Sequence, residues 1–346
     1  MAEVIGLGLT HYPALSRPGN TFTRALKFAL DDPALPAELR SVENWPAEMQ
    51  EEWSGDEGLA ATERHRVDVE SGLMEMRRRL DEFKPDVVIV WGDDQYELFQ
   101  EDLIPPFCIL AADEFEYPAT YADDPNVWGE TSADIVKVQG APEAGRWIAQ
   151  HVIDAGFDLA YSYKIRDDRK FPHAFIHTVS YLDMARDGFP FRLLPIAVNC
   201  YGKYVIARRG GMRGFAEITG EVDPPAPSPQ RCMDLGGAIA RAALDSPWRV
   251  AMVASSSWSH AFLHDRAWHL HPDVETDRAL YKALQEGDVD AWRRRSADDV
   301  ALSGQQEMLN WYCLLGAAEE AGLKLNWSQF VETWICNSNK VFAVLD

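Results

Sequence analysis

The chain has 346 residues, 47% of them hydrophobic, with 55 acidic against 33 basic side chains and a formal net charge of −22. That is ample apolar material for a packed core, which excludes global disorder, while the negative charge repels phosphate backbones and anionic lipid, so neither nucleic acid nor a membrane is an expected partner. Cys108, Cys200, Cys232, Cys313 and Cys336 form no close pairs, so no disulfide framework or paired-cysteine zinc site is expected; a cytoplasmic, soluble, unprocessed protein fits.

Val4 to Thr10 is a short apolar run that predicts a buried first strand, with His11 at its exit, the place where open α/β sheets put their chemistry. Positions 33 to 56, rich in Pro, Glu and Trp, read as a loop or short helices. From near Thr62, the residues Val69, Leu73, Met76, Leu80 and Phe83 recur at helical spacing, and Lys84-Pro85 stops the pattern. Val87 to Trp91 predicts a central parallel strand, and its polar tail Gly92-Asp93-Asp94-Gln95 emerges at the C-terminal edge of the sheet. A helix near 143 to 155, strands at Leu159–Tyr163 and Phe191–Asn199, a helix at Cys232–Leu244 and a strand at Arg249–Ala254 continue the alternation. Positions 201 to 230 read as a long excursion near the site, and the last hundred residues as mostly helical. The order implies an α/β fold, a layered, mostly parallel or mixed central sheet flanked by helices, in a single domain spanning 1–346.

Four polar features fall where strands or a core helix would present them inward: His11, the Asp93-Asp94-Gln95 run, His260 and Glu307. A histidine in such a place is more often structural than a ligand, and the two aspartates have a plain reading as a capped turn. Glu307 opens an apolar helix, and a buried carboxylate is costly unless it is paired or coordinates a metal. Two histidines and one carboxylate make the facial triad of non-haem iron(II) oxygenases. His173 and His177 sit four apart, on one face of a helix. His264, His269 and His271 read as loop or surface residues. Arg208 and Arg209 are either holders of a substrate carboxylate or a basic loop.

These residues carry a resemblance that spans nearly the whole chain. Leu-Thr-His-Tyr-Pro around His11, the strand and Ile-Pro-Pro-Phe-Cys pattern from Asp86 to Ile109, Ser-Ser-Ser-Trp-Ser-His ending at His260, and the helix after Glu307 resemble the LigB-like class III extradiol ring-cleavage dioxygenases, the family of the catalytic subunit of protocatechuate 4,5-dioxygenase. The resemblance implies an Fe(II) cofactor held by His11 and Glu307, His260 as catalytic base and His173 as an assisting histidine. It implies a catechol-type ring, carboxylated or methoxylated in some members, and O2 as substrates. A homo-oligomer is expected, with a small accessory subunit in some members. Where the family has its second histidine ligand this chain has Gln95. Three readings stand: Gln95 ligates through its weaker carbonyl oxygen, His65 substitutes from the preceding helix, or the site is degenerate. The functional alternatives are a changed substrate, such as an aminophenol or another non-catechol, and a metal-free binding protein of the same fold. The ring substituents and cleavage position are not encoded legibly.

Overall fold

The computed structural model describes residues 2–19, 21–209, 211 and 222–346, except the side chain of Arg208. The strands among them are β1 (Val4–Leu9), β2 (Val87–Asp93), β3 (Phe107–Leu110), β4 (Glu114–Pro118), β5 (Ile135–Gln139), β6 (Ala160–Ser162), β7 (Arg192–Val198), β8 (Val250–Ser255), β9 (Leu325–Val331) and β10 (Lys340–Leu345). The helices are α1 (Arg24–Asp31), α2 (Ala47–Trp53), α3 (Leu59–Phe83), α4 (Pro142–Asp154), α5 (His173–Leu182), α6 (Val205–Arg208), α7 (Pro229–Leu244), α8 (Val274–Glu286), α9 (Val289–Arg293), α10 (Ala297–Leu302) and α11 (Leu309–Ala321).

Eight strands form one sheet in the order β6-β3-β7-β2-β8-β1-β10-β9, and β4 and β5 make a separate antiparallel ribbon. β7, β2, β8 and β1 run parallel at the centre, whereas β3 is antiparallel to β7, and β10 to β1. The sheet is thus mixed, parallel where the site forms. β2 is buried along its whole length, as a strand covered on both faces must be. Its alternate residues serve two cores: Val87, Ile89 and Trp91 pack with α4, α7 and α11, while Val88 and Val90 pack with α3 and α5. Among the described residues no helix is long and apolar enough to cross a membrane.

The C-terminal part departs from its mostly helical expectation. β9 and β10 pair antiparallel and add to the β1 edge, because Val341 to Leu345 is an apolar run too short for a helix and long enough for a strand. β3 and the β4–β5 ribbon are likewise shorter than the patterns that sequence periodicity resolves. Of the excursion at 201–230, positions 210 and 212–221 lie outside the described residues, as does the Arg208 side chain. Arg209 is exposed, paired with Glu101 at 3.5 Å and set over the Tyr96 ring.

Candidate metal centre

The parallel register carries the C-terminal ends of β1, β8 and β2 to one edge, with Leu9 opposite Ser255 and Trp91 opposite Ala254. His11 leaves that edge just past β1. Its Nδ1 lies 3.0 Å from the Ser255 carbonyl, and a carbonyl can only accept, so Nδ1 carries the proton and Nε2 keeps a free lone pair. That lone pair faces two carboxylates: Nε2 is 3.4 Å from Asp93 Oδ1 and 3.6 Å from Glu307 Oε2. Fixing one imidazole nitrogen to a carbonyl so that the other faces a cation is the usual supporting arrangement of a metal-bound histidine. Ser255 Oγ is itself bonded to Thr178 of α5 at 2.6 Å, tying the support to a helix.

Glu307 sits in a one-turn 3-10 segment that leads into α11 and is 2% exposed. Its Oε1 accepts from Tyr201 Oη at 2.8 Å and from Gln95 Nε2 at 3.2 Å; Gln95 also donates to Tyr201 Oη. Among the described residues Oε2 has no hydrogen-bond partner, and it lies 3.3 Å from His260 Nε2. Burial, followed by the charge of Asp93, pushes the Glu307 carboxyl well above its ordinary range, and burial lifts Asp93 to about 6. Two carboxylates in a dry pocket repel each other, and Glu307 Oε2 and both Asp93 oxygens lack a donor among the described residues, which a divalent cation would relieve. Ligand atoms at about 2.1 Å from an octahedral ion sit about 3 Å apart when adjacent, so the 3.4 and 3.6 Å separations fit such an ion after small side-chain adjustment.

His260 is 4% exposed. Its loop is tied down on both sides: the His260 amide donates to the Gly304 carbonyl at 2.8 Å, and the Ala261 amide to that of Asn337 at 2.6 Å. Gly304 has φ +65, and a Cβ there would meet the His260 carbonyl at 2.5 Å. Burial, and then the Lys340 charge, lowers the His260 pKa to about 3, so it stands as neutral imidazole. His173 opens α5 with its ring 5.2 Å from that of His11. Glu97 holds it through both the backbone amide and Nδ1, each at 3.1 Å. Burial disfavours its charge, but Glu97 prevails and raises the pKa to about 9. One ligand-type atom each from His11, Asp93 and His173 fall within 4.8 Å of one another.

The structure therefore brings His11, Gln95, His173, His260 and Glu307 into one cluster. His65 lies apart. Its ring packs edge-on against Phe22, with centroids 5.8 Å apart, and among the described residues no hydrogen bond, ion pair or ring contact joins it to His11, Gln95 or Glu307. From His65 to the end of α3 is roughly 27 Å of helix, against roughly 20 Å of return along β2, so His65 overshoots the strand end. Asp94 behaves as the capped turn its sequence suggested, accepting from the amides of Glu97, Leu98 and Phe99. Asp93 does not: it is the last residue of a fully buried strand and turns Oδ1 toward His11. Tyr201 and Glu97 carried no signal of their own. His264 and His269 are in the loop expected for them but are buried, not on the surface.

Asp277, fully buried, braces the loops that carry both His260 and Glu307, accepting from the Ser259 amide at 3.1 Å, Gln305 Nε2 at 2.5 Å and Asn339 Nδ2 at 2.8 Å. Burial raises its pKa to about 7 from an ordinary 3.8. The folded state thus binds more protons than the unfolded chain between those values, and stability must fall as pH rises through that window, at roughly 1.4 kcal/mol per pH unit at most. Denaturant unfolding of metal-free protein from pH 4.5 to pH 8 is expected to show that decline, and a flatter profile in Asp277→Asn.

Comparison with known proteins agrees with this architecture. The family model for the catalytic LigB subunit of aromatic ring-opening dioxygenase matches residues 217–343. A 2,3-dihydroxyphenylpropionate/2,3-dihydroxicinnamic acid 1,2-dioxygenase of Pseudomonas putida is 28% identical over 184 residues, covering 53% of this chain and 46% of that protein. Enzymes of the same description from Rhodococcus globerulus (27% over 293 residues, 74% of this chain and 83% of the relative) and Paraburkholderia xenovorans (26% over 314 residues, 77% and 87%) match over greater lengths. The chain spans about half the length of the Pseudomonas relative and over four fifths of the other two. The mixed sheet with helices on both faces is an α/β architecture consistent with the LigB-like fold. Over residues 217–343 the chain is similar to the catalytic LigB subunit, and over about three quarters of its length it is similar, at 26–27% identity, to the two longer-matching ring-opening dioxygenases.

Proposed function

We propose that this chain is a non-haem Fe(II)-dependent extradiol dioxygenase, a single catalytic domain that opens a catechol-type ring with O2. The observation that carries the reading is the Glu307 carboxylate, buried with one oxygen unsatisfied and aimed between His11 and His260. The substrate class is supported by the relatives, described as acting on 2,3-dihydroxyphenylpropionate and 2,3-dihydroxicinnamic acid. Five free, buried cysteines suit a cytoplasmic enzyme. Homo-oligomerisation, with or without a small accessory subunit, is part of the same proposal.

His11 Nε2 and Glu307 Oε2 would hold the metal. A bound ferrous ion supplies a shared coordination centre and redox capacity for the ring oxygens and dioxygen. His260, neutral and buried, takes a phenolic proton at Nε2 and returns it later in the cycle. His173, held by Glu97, presents an N–H to charge that develops on the ring oxygens. Tyr201 and Gln95 fix the orientation of Glu307 through Oε1.

The test is oxygen uptake by anaerobically Fe(II)-loaded protein on a panel of catechols that includes 2,3-dihydroxyphenylpropionate, with ring opening followed by absorbance. His260→Gln is expected to lower kcat by about 10²–10⁴-fold, with iron content and KM little changed. Full activity in that variant would remove His260 from the proton transfer. Gln95 beside Glu307, where the family has a histidine, favours one further reading, an aminophenol or other non-catechol substrate; turnover of such compounds with none of the catechols would establish it.

A further inference from the structure

We infer that Asp93 replaces the missing histidine, so that this chain's metal site is built from one imidazole and two carboxylates: His11, Asp93 and Glu307. The inference rests on the reading that the cluster holds a divalent metal and goes beyond it by assigning the ligand that the sequence left open.

Gln95 is engaged elsewhere. Its amide nitrogen faces Glu307 Oε1 and Tyr201 Oη, and turning the amide over would set its oxygen against the Glu307 carboxylate, two acceptors with no proton between them. Gln95 therefore serves Glu307 as a donor. His65 is held against Phe22, apart from the cluster. Asp93 has what both lack. It is 0% exposed, neither oxygen receives a hydrogen bond of good geometry from the described residues, and Oδ1 lies 3.4 Å from His11 Nε2. The donors that act on it electrostatically are Gln95 and its own amide. An unpaired carboxylate at the closed end of a parallel strand is among the costliest groups a core can contain, unless a cation completes it. Asp93 is also carried by β2, the strand that leads to position 95, so it reaches the centre from the same side as the residue it replaces.

The third member is chosen by what each group already binds. His173 shares the 4.8 Å cluster with His11 and Asp93, but its Nδ1 is bonded to Glu97, whereas Asp93 and Glu307 each turn an oxygen without a hydrogen-bond partner among the described residues toward His11 Nε2, at 3.4 and 3.6 Å. The result is a harder, more oxygen-rich site of lower net charge than a two-histidine set, suited to ferrous or manganous ion.

The experiment measures binding, not turnover. Anaerobic calorimetric titration with Fe(II) and with Mn(II) is expected to give one site per chain in the parent, at least tenfold weaker affinity in Asp93→Asn, and substantial recovery in the Asp93→Asn/Gln95→His double variant. Electron spin echo modulation of the Mn(II)-loaded parent, which needs no variant to fold, is expected to show a single coordinated imidazole nitrogen. Two imidazoles, or unchanged affinity in Asp93→Asn, would overturn the assignment while leaving the metal-dependent reading intact. Failure of the parent to bind either ion would overturn both.

Discussion

Glu307→Gln is expected to abolish both metal retention and ring opening, yet to leave the metal-free protein more stable than the parent. The substitution keeps the size of the side chain and its bonds at one oxygen, from Tyr201 at 2.8 Å and Gln95 at 3.2 Å, so the pocket has no steric reason to collapse. What it removes is a carboxyl oxygen with no donor among the described residues, whose charged form burial and the neighbouring Asp93 disfavour. With metal present that charge holds the cation, and losing it should cost more than the ~10–100-fold in affinity that attends loss of a mere supporting partner. Ring opening should fall by at least the ~10²-fold that removal of one well-placed electrostatic group costs. Without metal the same charge is a liability, because like charges in a dry pocket repel and lack water. Thermal unfolding in excess chelator should show the variant melting above the parent, and in saturating Mn(II) the order should reverse. A variant that melts lower in chelator would mean that Glu307 is satisfied in a way its surroundings do not show.

The second large effect concerns the fold. α7 and α11 cross so closely that each uses a glycine to admit the other's backbone: a Cβ on Gly316 would lie 2.0 Å from the Met233 carbonyl oxygen, and one on Gly236 would lie 1.8 Å from that of Cys313. The obstacle in both cases is main chain, which cannot rotate away as a side chain could. Alanine ordinarily favours a helix over glycine by up to ~1 kcal/mol. Here the separation of two helices must increase, and overpacking of that kind costs ~1–3 kcal/mol or more. Gly316→Ala is therefore expected to be destabilising at or above that range by denaturant titration. Because α11 follows Glu307 directly, it should also weaken Mn(II) binding. Gly237→Ala is the control, since its Cβ would meet nothing closer than 3.6 Å, and it should be neutral or mildly stabilising.

Much of the fold was legible from periodicity. The apolar runs at Val4 and Val87, the three- and four-residue spacing from Val69 to Leu80, and the run ending at Ala254 each became the expected strand or helix with small shifts at the ends. Those segments are long and strongly patterned. β6 likewise fell inside the strand expected at Leu159–Tyr163, but β3 and the β4–β5 ribbon are short, and their pairing and that of β9 with β10 are decided by partners that local pattern does not show. The same division runs through the site. His11 and His260 were legible because each follows an apolar run that ends at a sheet edge. Asp93 and Asp94 are adjacent and chemically identical, yet Asp94 caps a turn and Asp93 faces His11, a difference set by one step of strand alternation relative to the sheet's edge.

By itself the amino-acid sequence determined which segments are buried, where strands end, and hence which polar residues stand at the edge of a parallel sheet. Only the tertiary structure decided which of them meet. Gln95 and Glu307, 212 positions apart, touch because the strand order sets β2 beside β8 and folds α11 across both, whereas His65, much nearer to Gln95 along the chain, is carried past the pocket by the length of its helix. Periodicity reports burial, a local property of each element; the convergence of a metal centre depends on how elements are joined and ordered, and that information is spread over the whole core.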